Sequence, residues 1–237
     1  ILSSISSKLT HSVVANPSLK TPEQLRGKRF GIQSIGGSTW MHTILALEHI
    51  GLDVKRDNIS LLVIGDSVLI GQSLEAGRID AAVLDGALVR RLKNKGFAIV
   101  ADLTAANIPM LNQAIVVSQD FLQKRSDIAE KVLMALVESL AYTLAPQNKA
   151  VVSKTIMTRF HISDSTVAEE GYQDLLVSVE RKPFPSLDAM RNIRRLMAVQ
   201  NPKAANVKVE ELIDARLIRK LDENGYVEKV AANYGLK

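Results

Sequence analysis

The sequence predicts an α/β fold built on a parallel sheet, because one construction, a short apolar run, a glycine-bearing turn and an amphipathic helix, occurs three times between Phe30 and Lys95. In the first unit Phe30-Gly31-Ile32 passes through Gln33-Ser34-Ile35-Gly36-Gly37-Ser38-Thr39 into a helical pattern over Trp40 to Ile50. In the second, Ile59 to Ile64 reads as a strand, Gly65-Asp66-Ser67 as its turn, and Val68 to Ala76 as a helix closed by Gly77. In the third, Ile79 to Leu84 is the strand, Asp85-Gly86 the turn, and Ala87 to Lys95 the helix closed by Gly96. Three βα units in about seventy residues imply right-handed crossovers and turns that all open on one edge.

Ligands of open α/β sheets bind at that carboxyl edge, which makes the turns the candidate site. The double glycine places free backbone amides at the positive end of a helix dipole, a seat for a polar or anionic group. The candidates in the first turn are Ser34, Gly36, Gly37, Ser38 and Thr39, although Ser38 or Thr39 equally suits an N-cap. Trp40 opens the helix and has a face for a ring, with core packing as its other role. Asp66 either caps the second helix or faces the ligand, and Asp85 with Gly86 either caps the third or receives an amine or hydroxyl.

Composition narrows the chemistry. The 237 residues are 46% hydrophobic and 23% charged, ordinary for a globular chain, and no apolar run approaches the roughly 18 residues of a membrane span. The net charge of +5 is not gathered in either half. Its densest cluster, Arg90-Arg91-Leu92-Lys93-Asn94-Lys95, falls in the last turns of a helix, where cations favour the dipole. With 4% aromatic residues there is little for base stacking, so no nucleic-acid partner is expected. Zero cysteine excludes disulfides, thiolate metal sites and cysteine nucleophiles. Of the histidines, His11, His42, His49 and His161, the closest pair on one helix is seven residues and so about 10 Å apart, too far for one ion. No nucleophile elbow and no phosphate-loop lysine is present, so neither a metal, a cofactor nor catalytic residues are expected.

The remainder divides sharply. Ile1 to Ile5 and Thr10 to Ala15 are short extended candidates, and Thr21-Pro22-Glu23-Gln24 fits a capping box ahead of Phe30. Phe97 to Leu103 and Asn112 to Val117 read as further strands, whereas residues 119–237 read almost wholly as helices, broken at Pro146, Pro183-Phe184-Pro185 and Asn201-Pro202. Such a helical half normally covers a sheet built elsewhere in the chain, and the expectation is that half a sheet lies upstream of Ile1.

The run Thr21-Pro22-Glu23-Gln24-Leu25-Arg26-Gly27-Lys28, the stretches Gly51-Leu52-Asp53 and Ser73 to Leu84, and the later Arg181-Lys182-Pro183-Phe184-Pro185 and Asn201-Pro202-Lys203-Ala204 resemble, in order and spacing, periplasmic solute-binding proteins of the nitrate, sulfonate, taurine and thiamine-precursor type. The resemblance implies a periplasmic-binding-protein-like fold: two lobes joined by a two-stranded hinge and clamping a small ligand. Residues 1–15 would end lobe one and make the first crossing (about Thr10 to Ala15), residues 16–111 form lobe two, and residues 112–237 make the second crossing (Asn112 to Val117) and the helical remainder of lobe one. Asn112 and Gln113, entering the second crossing, then join the ligand set as amide donors or acceptors, with hinge packing as their other role. The implied function is non-catalytic capture of a small polar or anionic organic solute for an ABC importer. The implied partners are that solute and a membrane permease, and the protein would be an exported, periplasmic or cell-surface monomer whose export signal is removed or lies outside this sequence. The alternatives are a ligand-sensing domain of a receptor and an enzyme similar to thiamine-pyrimidine synthases. The latter carry a cysteine-rich motif that this chain lacks.

Overall fold

A computed structural model describes residues 1–160 and 163–236; the prediction for His161 lies outside them. The chain forms two units, one of residues 9–108 with 196–202 and the other of residues 1–8, 109–195 and 203–237.

The first of these holds a five-stranded sheet. Its strands are β2 (His11–Ala15), β3 (Arg29–Ile32), β4 (Ser60–Val63), β5 (Ala81–Asp85) and β6 (Ala98–Asp102), ordered β4-β3-β5-β2-β6. β3 pairs in parallel with both β4 and β5, through Ile32 opposite Val63 and Gly31 opposite Ala82, so the three repeated strands do run side by side in one direction. β2 is antiparallel to both β5 and β6. The extended run expected at Thr10 to Ala15 is β2, whose Val13, Val14 and Ala15 are fully buried and paired on both sides within this sheet. An isolated five-residue apolar run carries no mark of how many neighbours it will pair with.

Helices α1 (Ser38–His49), α2 (Ser67–Glu75) and α3 (Gly86–Asn94) follow β3, β4 and β5. Strand periodicity sorts the two faces. Val14, Ala82 and Leu84 point into a core completed by Ile70 and Leu74 of α2, Leu92 of α3 and Ile79. Val13, Phe30 and Ile32 point the other way, where α1 packs on β2, β3 and β5 through buried Trp40, Leu45 and Ala46. Gly31 marks the closest approach: a Cβ there would lie 2.6 Å from Ile79 Cδ1 and 3.2 Å from Ile70 Cγ2.

Two ionic clamps fix the entrances to the strands. Arg29 forks onto Asp80, Nε to Oδ2 at 2.9 Å and Nη2 to Oδ1 at 2.8 Å, and its hydrogen bonding holds the Asp80 carboxyl below the usual range. Asp57 accepts from the Asp53 amide at 2.7 Å and from Arg56 and pairs with Arg26, closing the loop before β4. The short 3-10 turn at Pro22–Leu25 keeps the expected reach-back, Gln24 Oε1 accepting the Thr21 amide at 3.1 Å.

In the second unit β1 (Ser3–Lys8) pairs antiparallel with β7 (Pro109–Ile115). Around this ribbon lie α4 (Gln119–Lys124), α5 (Ser126–Leu144), α6 (Lys149–Phe160), α7 (Ser165–Ser178), α8 (Leu187–Gln200), α9 (Arg216–Glu223) and α10 (Tyr226–Asn233), the end of α8 being counted with the first unit. Leu2, Leu133, Val137, Ile218, Leu221, Val227 and Val230 make its core. The cap of α7 is Asp164, accepting from the Thr166 amide at 2.8 Å, and Ser186 caps α8 through the Ala189 amide at 3.2 Å. No helix among the described residues is long and apolar enough to cross a membrane.

The approach at Gly31 yields a test. Gly31→Ala is expected to lower unfolding stability by about 1–3 kcal/mol through overpacking against Ile79 and Ile70, measured by urea denaturation; unchanged stability would contradict this packing.

Candidate functional site

Strand order locates a switch point. From β3 the chain moves through α1 to β4 on one side; from β5 it moves through α3 toward β2 and β6 on the other, with α1 and α3 on opposite faces. β3 and β5 therefore flank a topological switch point, the position at which open α/β sheets take their ligands, between loops that leave the carboxyl ends of adjacent strands. The loops concerned are 33–37 and 85–86, two of the three turns picked out by the repeat.

The first loop is shaped by backbone geometry. Gly36 is left-handed (φ +78°) and Gly37 is the N-cap of α1 with no side-chain cap bond, so neither Ser38 nor Thr39 serves as the cap. Gly37 donates its amide to Ser34 O at 3.3 Å, and a Cβ on Gly37 would collide with Ser34 Oγ. Thr39 Oγ1 turns back to accept the Gln33 amide at 2.8 Å, fixing where the helix starts. With the cap position held by a glycine, the first-turn amides of α1 receive no side-chain oxygen from it, the arrangement that favours an incoming acceptor. Ser34 and Ser38 are exposed at this mouth, and Gln200 Cγ lies 3.5 Å from where a Cβ of Gly36 would stand. Trp40 is 5% exposed and belongs to the core beneath the loop.

The other candidates differ in how far the fold has already used them. Asp66 caps α2, its Oδ1 accepting the Leu69 amide at 2.9 Å. Asp85 occupies the N-cap position of α3 but makes no cap bond, and its side chain is exposed beside Gly86 (φ +47°). Asn112 and Gln113 lie on β7 in the other unit; Asn112 Nδ2 donates to Lys8 O at 3.0 Å, and Gln113, exposed, stands opposite Ser6. Among the described residues no cluster of three histidine, cysteine or carboxylate side chains has the geometry to hold a metal ion.

Sequence reasoning passed over His11. It begins β2 directly opposite Asp85, at the same edge of the sheet, and its ring meets that of His42 from α1 with centroids 4.2 Å apart. His11 Nδ1 is buried without a hydrogen-bond partner, a loss of order 1–3 kcal/mol for an unsatisfied polar group. Desolvation lowers its pKa to about 4, so the imidazole is neutral at neutral pH. The signal was present, a histidine leading an otherwise apolar strand, but only the register places it beside Asp85.

That burial fixes a pH response. The folded His11 titrates near 4 and the unfolded one near 6.5, so the unfolded state binds the extra proton between those values and stability falls as pH drops through that window. At about 1.4 kcal/mol per unit the loss approaches about 3 kcal/mol. The unfolding free energy of wild type relative to that of His11→Gln, measured from pH 7 to pH 4, is expected to fall by about that amount; parallel curves would contradict the assignment.

Comparison with known proteins agrees with this architecture. Residues 1–150 match the family model described as NMT1/THI5 like. A protein of Brachyspira hyodysenteriae described as an ABC transporter periplasmic binding protein is 26% identical over 170 residues, covering 72% of this chain and 46% of that protein, so the matched part spans about half of the curated relative. Among solved structures, a periplasmic sulfonate-binding protein SsuA of a sulfonate ABC transporter from Methylobacillus flagellatus superimposes with a TM-score of 0.67 at 14% identity, over 96% of this chain and 70% of that one. The desulfurization enzyme DSZB gives a TM-score of 0.62 at 14% identity, over 94% and 79%. At such identities these likenesses speak for the periplasmic-binding-protein fold, while the family match rests on the sequence itself: this chain is a member of the NMT1/THI5-like family.

Proposed function

We propose that the chain is the solute-binding component of an ABC importer and that it takes a small polar or anionic organic solute at the carboxyl edge of the five-stranded sheet. The observation that carries the reading is the switch point between β3 and β5, with a glycine-capped helix start on one side and an uncapped Asp85 on the other. The family match and the periplasmic binding relative support it, and with it we propose an exported location and a membrane permease partner. The site residues proposed are Ser34, Gly36, Gly37, Ser38 and Thr39 with Asp85 and Gly86; Asp66, Trp40, Asn112 and Gln113 stand as secondary candidates because each has a structural role or lies in the other unit.

The fold shared with DSZB raises a catalytic reading. Against it stands a chain with no cysteine and no nucleophile motif, and a mouth built from amides, hydroxyls and one carboxylate.

The test is a thermal-shift screen of purified protein against inorganic oxyanions, alkylsulfonates, pyrimidines and aromatic acids, with native mass spectrometry of any retained solute. A stabilising ligand whose affinity falls at least about tenfold in Gly37→Ala, where a methyl displaces Ser34, is the expected result, a loss equivalent to one good hydrogen bond to a charged group. No stabilisation by any class and no retained solute would overturn the reading.

A further inference from the structure

The edge holds two polar side chains that the fold does not use. Asp85 sits at a helix start without capping it, and His11 buries Nδ1 without a partner. They are directly opposite each other in the β2–β5 register, and residues so paired in antiparallel strands project from the same face, with Cβ atoms about 5 Å apart. That face is the one α1 covers, since His11 meets His42 of α1 there, and α1 is the helix whose first turn supplies the amides of the Gly36-Gly37 loop. A neutral imidazole nitrogen and a carboxylate together offer acceptors, whereas the loop offers donors. From the end of β3 across β5 to β2 is two strand spacings, about 10 Å.

We propose that His11 and Asp85 form a second pole of the solute site, so that the solute is an elongated bifunctional molecule. One end is an anionic or acceptor group for the loop amides; the other is an amine or hydroxyl donor for Asp85, one strand spacing from β3, and His11, two spacings from it. A mononuclear oxyanion such as nitrate or sulfate fills only the first pole. This rests on the solute-binding reading above and narrows its ligand class. It also gives Asp85 a reason to forgo the cap that Asp66, at the equivalent position of the preceding unit, makes with Leu69.

The experiment compares three probes on the purified chain by calorimetry: inorganic sulfate, hexane-1-sulfonate and 6-aminohexane-1-sulfonate. The amino probe is expected to bind at least about tenfold more tightly than hexane-1-sulfonate, as a charge-assisted hydrogen bond implies. Asp85→Asn and His11→Phe are each expected to erase that preference, the amino probe losing at least about tenfold more affinity than hexane-1-sulfonate does. Circular dichroism and melting of both variants confirm that they are folded, and His11→Gln, which keeps a polar side chain, is expected to retain part of the preference. Equal affinity for the two sulfonates, a preference that survives in Asp85→Asn and His11→Phe, or no binding by any probe would overturn the two-pole site. Native mass spectrometry separates the two levels: a solute retained equally by wild type and both variants sinks the second pole and leaves solute binding standing, whereas no retained solute in any of them counts against solute binding itself.

Discussion

The parallel pairing of β3 with both β4 and β5 is the constraint on which the first unit depends. A strand of four residues lying between two parallel neighbours must send its chain out at the same edge as theirs, and the helices that follow have to leave on opposite faces to return. The divergence of the loops after β3 and β5 is a consequence of that routing rather than a separate invention. Gly31 permits it locally by letting Ile70 and Ile79 close directly onto the backbone, and the Arg29–Asp80 fork pins the same strand at its start.

The mouth is made mostly of backbone. The Gly36-Gly37 pair gives the loop a left-handed turn and leaves the cap position of α1 without a side-chain acceptor, and Thr39 spends its hydroxyl on Gln33 to set the helix start. Comparison of the three units is instructive: α2 is capped conventionally by Asp66, whereas α1 and α3, the two helices that flank the switch point, start without a side-chain cap bond. The buried, neutral His11 at the same edge likewise leaves a polar atom, Nδ1, without a partner.

Much of this was legible because it is local. Period, glycine placement and the helix stops at Gly77 and Gly96 carry the three βα units directly, and the capping residues Asp66 and Ser186 are where short-range chemistry puts them. What was not legible is pairing. Nothing in His11-Ser12-Val13-Val14-Ala15 says that it will lie between β5 and β6, and only that pairing brings it into the unit that begins at Leu9. The same gap hid the place of His11, whose meaning comes from standing opposite Asp85, far away in sequence. Trp40 shows the converse: an aromatic residue at a promising position whose burial is settled by α1 packing on the sheet.

The central claim is that the carboxyl edge of β3 and β5 is where a solute is held, and backbone amide chemical-shift mapping reads it most directly. With the solute identified by mass spectrometry returned to stripped protein, the largest shifts are predicted at Gln33 to Thr39, Asp85, Gly86 and His11. Shifts confined to α9, α10 and the rest of the helical unit, with those amides silent, would contradict the account.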